Sequence, residues 1–391
     1  MNSAKFSSRP SKGKTFILFI VLGLIIQPQF FERTFYFNEI LSILGMFAAR
    51  KFLFSKVKKQ RSVKIVYLLI LWGGIQLLIS MFTMDDFYAF MRHTSIIYSI
   101  FCFFLAAFLY KEVKYWFYKA AKVFRVSIAL ISFIPIPGLV YRLSVLYIYP
   151  LLVTGGKIPV RFLYILGCII LLTLSHGGGS GIISILVASV IYVILKSPTV
   201  FWTIISSAIL LLAGLYIYYY EFFVISETAG ALALYRFFPL LAEDPNSLIR
   251  TYFWHLSINR MIDSYGIGIG FGTQLFDLSQ IPLVFESDQK TELLPYFLFP
   301  HNSFLGVLAR LGVVGLLLLI LLLIELLNQF SRKLKEIDAF SFSILTVFSF
   351  LIAVSSLNVV IESPITSGVF WFFMGLTFRC GQELNTKHEM N

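Results

Sequence analysis

Three short stretches of this sequence carry polar side chains that could bind an anion or transfer a proton. The first, residues 175–181, reads SHGGGSG, and four of its seven residues are glycine. Glycines let backbone N–H groups turn toward an anion, and a helix that begins directly afterwards adds the positive end of its dipole. His176 can supply a further donor. A tight turn between two helices, with Ser180 as N-cap, explains the same residues equally well.

The second stretch begins at Arg250, continues as a predicted amphipathic helix over 251–262, and ends in glycines that alternate over 266–272. Arginine keeps its charge and binds phosphate oxygens with two parallel hydrogen bonds, so Arg250 is a candidate phosphate ligand. A salt bridge from Arg250 to Glu243 or Asp244 is the alternative. The alternating glycines look like a dinucleotide fingerprint, but no strand-then-helix context supports that interpretation.

The third stretch is His301-Asn302, directly before a long apolar run that starts at Ser303. A neutral imidazole near pH 7 suits a general base, so His301 is the candidate catalytic residue and Asn302 a candidate substrate ligand. The alternative is that Asn302 or Ser303 caps the helix and that His301 is an interfacial residue.

The composition decides what kind of fold must position these residues. Of 391 residues, 58% are hydrophobic and 13% are charged, whereas soluble domains are about half apolar and a quarter charged. We therefore predict an all-α polytopic membrane protein. The net charge of +12 is spread in short clusters between apolar runs, a pattern of membrane orientation rather than of nucleic-acid binding. No metal-ligand spacing or cofactor motif is present, and the three cysteines imply no disulfide framework.

The apolar runs predict about twelve transmembrane helices in a single membrane domain, with both termini cytoplasmic. Twelve spans place 24 Lys and Arg inside and 8 outside, in agreement with the positive-inside rule. Arg142 then lies on a short outer loop. Residues 221–302 form a large extracytoplasmic loop between spans nine and ten, and long loops in compact proteins are usually functional. The predicted spans cover residues 15–31, 36–54, 64–83, 94–110, 122–138, 140–154, 159–175, 181–196, 199–220, 303–327, 340–358 and 364–379.

Together the three stretches resemble the O-antigen ligase and O-antigen polymerase superfamily of bacterial envelope glycosyltransferases. The ligase signature is His, then Asn, Ser or Gln, nine residues, Gly, two residues, and Gly, Thr or Tyr. Here His301, Asn302, Gly312 and Gly315 match it. The sequence departs from the family at His176, where an arginine is usual, and at Arg310, where a carboxylate is common.

The resemblance implies a metal-independent, inverting transfer of a glycan from undecaprenyl pyrophosphate to an acceptor hydroxyl at the outer face of the bacterial cytoplasmic membrane. His301 would be the base, and Arg250, His176, Arg142 and Asn302 would bind pyrophosphate or glycan. A ligase would use lipid A–core as acceptor, and a repeat-unit polymerase would use a second lipid-linked glycan, with a chain-length regulator as an additional partner. A transporter or flippase is a different alternative, but it would place charged residues in mid-span around a central site.

Overall fold

A computed structural model describes residues 11–26, 37–53, 60–131, 245–275, 300–331, 337–356, 358–364 and 366–389. This part of the chain contains α-helices and no β-strand. Its helices are α1 (Lys12–Ile26), α2 (Phe37–Leu53), α3 (Arg61–Thr83), α4 (Phe87–His93), α5 (Ser95–Tyr98), α6 (Phe101–Ile131), α7 (Pro245–Asp263), α8 (Ser303–Ser331), α9 (Ala339–Ser355) and α10 (Ser367–Glu389).

Within the described ranges, three helical segments are long and apolar enough to cross a bilayer, which makes the chain a membrane protein. They are Arg61–Thr83, Phe87–Lys119 and Ser303–Phe330. Helices α1, α2, α9 and α10 overlap four further predicted spans, although α10 continues ten residues beyond the predicted end at residue 379. The total of twelve stays a prediction, because the predicted spans at 140–154, 159–175, 181–196 and 199–220 lie outside the described residues.

The fourth predicted span does not end at residue 110. Helix α6 continues without a break to Ile131. The basic segment 111–121 is therefore helical and not a loop, and the fifth predicted span, 122–138, does not begin as a separate helix. The reason is that Val113 and Phe117 stand four residues apart and are both buried, which gives the segment an apolar face at helical spacing. Lys114, between these two residues, is also buried, and it forms ion pairs with Asp338 at 2.7 Å and Glu383 at 2.8 Å.

Helix α6 lies at the centre of the described bundle and packs against α2 on one side and α10 on the other. Glycines permit both close approaches, because a Cβ at Gly45 or Gly375 would collide with the α6 backbone at Phe101 or Phe103. Small residues at crossings of this kind are typical of helices packed in membranes. The large buried rings of Phe103 and Phe104 fill the centre of the core.

Helix α8 packs against α3, α7 and α10. Three buried serine hydroxyls tie α5 and the residue after it to the segments that follow α9. Ser95 donates to the carbonyl of Glu362 at 2.8 Å, and the hydroxyls of Ser99 and Ser367 are 2.7 Å apart. Because Glu362 also contacts Ser303, the first residue of α8, the turn that carries His301 lies beside segments that are distant in sequence.

Candidate active site

His301 lies in the turn that precedes α8, and its backbone is in the left-handed region with φ of 50°. For a residue with a Cβ this conformation costs roughly 1–2 kcal/mol. Two contacts fix the turn. The Trp254 indole N–H donates to the Pro300 carbonyl at 2.7 Å, and the Asn302 Oδ1 accepts from the backbone N–H of Phe304 at 3.1 Å. Local strain that the surroundings maintain is a feature of functional sites.

Asn302 has a capping contact of the kind expected for a residue just before a helix. Besides Phe304, its Oδ1 also accepts from the backbone N–H of Leu305 at 3.3 Å. These bonds satisfy donors in the first turn of α8, which have no partner within the helix. The described contacts thus give Asn302 a structural task, and a contact with substrate stays a prediction.

Helix α7 brings Arg250 toward His301. Arg250 precedes Trp254 by four residues and so lies on the same face of α7, and Trp254 contacts the carbonyl next to His301. His301 keeps solvent access, yet partial desolvation of its ring, reinforced by the positive charge of Arg250, lowers the pKa of the imidazole below 6.5. Two groups about 50 positions apart in the chain therefore lie in one electrostatic environment, which favours the neutral form of His301.

The alternating glycines after α7 pack against a break in α8. Each of the four glycines between 266 and 272 has a positive φ. Gly312, inside α8, is non-helical, with φ of 68° and ψ of −171°. A Cβ on Gly268 would lie 2.5 Å from the Gly312 nitrogen and 2.6 Å from the Arg310 oxygen. Only residues without a Cβ allow these two backbones to approach so closely.

The backbone groups released by the break in α8 find new partners. The Ala309 carbonyl accepts from Ile269 N–H at 2.8 Å, and the Val313 N–H donates to the Gly266 carbonyl at 2.9 Å. Two more carbonyls, those of Arg310 and Leu311, accept from Gly270 N–H at 3.1 Å and from the Trp72 indole at 2.7 Å. Non-helical backbone at membrane depth is tolerated where protein surrounds it and satisfies it in this way. The first glycine of the ligase signature, Gly312, thus marks a helix break.

Residues 266–272, which we call the glycine segment, also contact side chains of α3 and α4, on the side opposite to α8. The contacts join polar side chains to backbone groups of the segment: Gln76 Nε2 to the Ile267 carbonyl at 2.8 Å, Phe271 N–H to Ser80 Oγ at 2.7 Å, and Gly272 N–H to His93 Nδ1 at 3.0 Å. The glycine segment therefore contacts three helices: α3, α4 and α8. It links α3 and α4 to the part of α8 that follows His301.

Arg310, the departure from the family pattern, is buried, with only 1% of its surface exposed. Its Nη1 donates to the Gly270 carbonyl at 3.2 Å, and its Nη2 lies 3.2 Å from His93 Nε2. A buried charge needs such partners because its desolvation is costly. Arg310 therefore joins α8, the glycine segment and α4. The sequence shows a lone arginine in an apolar helix, but it does not identify the partners of that arginine.

A buried carboxyl lies beneath the His301 turn and was not among the residues predicted from sequence. Glu362 is 1% exposed, and its Oε2 accepts from the Ser303 hydroxyl at 2.5 Å. That hydroxyl also accepts from the N–H groups of Val360 at 2.7 Å and Ile361 at 3.0 Å. Glu362 thus holds the first residue of α8, two positions after His301. Its local sequence, VVIESP, gave no sign of this contact.

Burial raises the pKa of the Glu362 carboxyl from 4.5 to about 7, although the Ser303 hydroxyl and the charge of Arg310 oppose the rise. Within the described residues, its Oε1 has no hydrogen-bond partner. That oxygen faces Gly306, where a Cβ would collide with it. The site therefore contains a carboxyl that is close to its midpoint at neutral pH.

Replacing Glu362 with Gln should remove a pH dependence of stability. A folded pKa raised from 4.5 to about 7 means that this group favours folding most below pH 4.5, and that the benefit disappears as pH rises through 7. The loss amounts to roughly 3 kcal/mol. Thermal unfolding of the purified protein between pH 4.5 and 8 measures it. We expect the parent to lose stability relative to Glu362→Gln across this range. Parallel curves for the two proteins would contradict the assignment.

The structure describes some of the predicted site residues and not others. It brings His301, Asn302 and Arg250 to one end of the packed helices α7 and α8. His176 and Arg142 lie outside the described residues, so their roles stay predictions. Arg260, on the last turn of α7, donates from Nε to the Leu275 carbonyl at 3.2 Å, which gives it a structural contact.

Comparison with known proteins finds sequence relatives over part of this chain. Residues 162–320 match the family model described as O-antigen ligase. Proteins of Rickettsia conorii and Rickettsia typhi, whose names give polysaccharide ligase as a provisional activity, are each 28% identical over 131 residues. The alignment covers 33% of this chain, 31% of the R. conorii protein and 32% of the R. typhi protein. The match thus spans about a third of the curated relatives. The comparisons therefore show that residues 162–320 of this chain are similar to the O-antigen ligase family.

Proposed function

We propose that this protein transfers a glycan from undecaprenyl pyrophosphate to an acceptor hydroxyl at the outer face of the bacterial cytoplasmic membrane, as an O-antigen ligase with lipid A–core as acceptor. The observation that carries the proposal is that Trp254 of α7 contacts the Pro300 carbonyl beside His301, while Arg250 lies one helical turn before Trp254. Desolvation, together with the charge of Arg250, lowers the pKa of the imidazole. The match to the O-antigen ligase family over residues 162–320 supports it.

In the proposed reaction, the acceptor hydroxyl attacks the anomeric carbon while His301 removes its proton. The bond between that carbon and the pyrophosphate oxygen breaks, and the pyrophosphate leaves with the bonding electrons. A neutral imidazole is required at this step, and desolvation together with Arg250 favours the neutral form. Direct displacement inverts the anomeric configuration.

Arg250 would bind the pyrophosphate and stabilise the negative charge that develops on it. A guanidinium positioned before the reaction acts most strongly in a site that partly excludes water. This role needs no metal ion, and it gives one residue two effects, because the same charge keeps His301 unprotonated. His176, Arg142 and Asn302 are the further proposed ligands for pyrophosphate or glycan.

The choice of acceptor separates a ligase from the second candidate, a repeat-unit polymerase. A strain that lacks this gene distinguishes them through its lipopolysaccharide. Loss of all O-antigen, with accumulation of lipid-linked polymer, supports the ligase. A single repeat unit attached to the core supports the polymerase, in which case the acceptor is a second lipid-linked glycan. Flipping of a labelled lipid in proteoliposomes, with no glycan transfer, would instead favour a flippase.

Arg250→Lys should reduce glycan transfer although it keeps the positive charge. Lysine cannot form two parallel hydrogen bonds with phosphate oxygens, and a hydrogen bond to a charged group contributes about 1.5–3 kcal/mol. We therefore expect a decrease of roughly ten- to a hundredfold in kcat/KM. The assay is transfer of lipid-linked glycan by the purified protein in detergent or nanodiscs.

Arg92→Lys is the matched control for Arg250→Lys. Arg92 binds the hydroxyl of Tyr88 in its own helix at 3.1 Å, so its replacement should leave transfer close to that of the parent. Full activity of Arg250→Lys at equal protein level would exclude bidentate binding of phosphate by Arg250.

A further inference from the structure

A basic pocket opens between α1, α2, α6 and α10, far from His301. Its volume is about 320 Å³. Four cationic side chains line it, one from each of these helices: Lys14, Lys51, Lys111 and Arg379. The rest of the lining is apolar or aromatic and includes Phe52, Ala107, Phe108 and Tyr110. We call this set of residues the basic pocket.

The basic pocket lies at the opposite end of the bundle from the candidate active site. Gln329, near the end of α8, donates to Ser62 at 2.9 Å and packs against Gly381, which follows Arg379 by two residues. From His301 to Gln329 the chain advances along roughly 40 Å of helix. All four cations belong to segments that the positive-inside rule assigns to the cytoplasmic side.

Two of the cations converge on one aromatic ring. The ammonium groups of Lys14 and Lys51 lie 4.2 Å and 4.7 Å from the centroid of the Phe108 ring. Like charges that meet over an apolar wall repel one another, and that repulsion is weakly screened where water is partly excluded. Glu112, at 3.9 Å from Lys14, offsets one charge but does not line the pocket. An anion between the lysines would be attracted to both.

Arg379 adds a guanidinium charge to this arrangement. Its Nη1 donates to Gln382, and its guanidinium lies 5.8 Å from the Tyr110 ring centroid. Its Nε is buried and, within the described part of the chain, has no hydrogen-bond acceptor. Because that nitrogen is enclosed by protein, an anion in the pocket would interact with Arg379 through the charge of its guanidinium.

We propose that the basic pocket binds the phosphate of an anionic phospholipid from the leaflet opposite to His301. Phosphate oxygens can accept from Arg379 and lie between the lysines, while the apolar part of the lining contacts the start of the acyl chains. Basic pockets between membrane helices on the cytoplasmic side are known to bind lipid headgroups. A free phosphate ion shares the headgroup chemistry but would leave the apolar lining without a partner.

The experiment measures lipid binding to the purified full-length protein by native mass spectrometry. The probes are dioleoylphosphatidylglycerol, which is anionic, and dioleoylphosphatidylcholine, which has the same chains and no net charge. The test variant is Lys51→Gln with Lys111→Gln. The control is Arg61→Gln with Lys64→Gln, two exposed cations on α3 at the same end of the bundle. Unchanged thermal unfolding in lipid-free detergent verifies that both variants are folded.

We expect the parent to bind phosphatidylglycerol in preference to phosphatidylcholine, and the test variant to bind it at least tenfold more weakly. Each basic side chain near an anionic surface contributes on the order of fivefold to binding. The control should bind within about threefold of the parent. Equal binding by parent and test variant, or equal binding of the two lipids by the parent, would overturn the proposal. Displacement of phosphatidylglycerol by millimolar inorganic phosphate would overturn the lipid as the source of the phosphate.

Discussion

Replacing His301 with Asn should abolish most glycan transfer while leaving the protein folded. General base catalysis by a positioned side chain contributes roughly a hundred- to ten-thousandfold to the rate, so kcat should fall by a factor in that range. Asn is chosen because it tolerates the left-handed backbone that His301 adopts, with φ of 50°. The measurement is transfer of lipid-linked glycan by the purified variant and display of glycan in cells.

A second variant, His301→Gly, separates the imidazole from the backbone strain. Glycine relieves the left-handed conformation without cost and also lacks a base. Both variants should therefore be equally inactive and as stable as the parent or more so. If either variant transfers glycan at the parental rate, His301 is not the base and the proposed mechanism fails.

The pH profile of the parent gives an independent readout of the same group. The pKa of His301 is lowered by desolvation and by Arg250, and only the neutral ring accepts a proton. Activity should therefore decline on the acid side with a midpoint below pH 6.5. Arg250→Gln removes one of the two causes, so the midpoint of its residual activity should move to higher pH.

Replacing Gly268 with Ala should be among the most destabilising single changes in the described part of the chain. The residue has φ of +94°, and the new methyl group would lie 2.5 Å from the Gly312 nitrogen and 2.6 Å from the Arg310 oxygen. Both neighbours are backbone atoms of α8 and cannot rotate away. We expect a loss of at least about 3 kcal/mol in stability, from the left-handed backbone together with the steric overlap. Thermal unfolding in detergent is the measurement.

Gly266→Ala is the matched control for the effect of steric overlap. Gly266 also has a positive φ, of +77°, but a methyl group added there would meet only the Val313 side chain, at an ordinary 3.4 Å. Its cost should be limited to about 1 kcal/mol from backbone conformation. Comparable losses for the two variants would mean that the glycine segment does not pack against the break in α8 as the structure has it.

The glycine segment shows where inference from sequence stops. Alternating glycines between 266 and 272 and the Gly312 of the ligase signature are both visible in the sequence. Their relation is not, because it depends on two backbones that approach each other from positions about 45 residues apart. A glycine in a pattern indicates a need for space or for positive φ, but only packing identifies the neighbour that requires it.

Buried polar groups lead to the same conclusion, because the sequence does not identify their partners. Arg310 stood out in the sequence as a departure from the family and Glu362 did not stand out at all, yet both are about 1% exposed. Arg310 lies within α8, and Glu362 contacts its first residue. Their partners include His93, Ser303 and Gly270, from other parts of the chain. Because a buried charge is stable only with specific partners, its role is a property of the tertiary contacts.

The sequence by itself determined the class of protein, the helical character of its spans and the candidates His301 and Arg250. Hydropathy and helical periodicity depend on residues within a few turns of each other, and the ligase signature is a local pattern. The tertiary structure decided that α6 runs through a basic segment, that α8 breaks at Gly312, and that the charge of Arg250 reaches His301. Those features depend on which helices pack together, and the free energy of that packing is distributed over contacts between segments that no local pattern specifies.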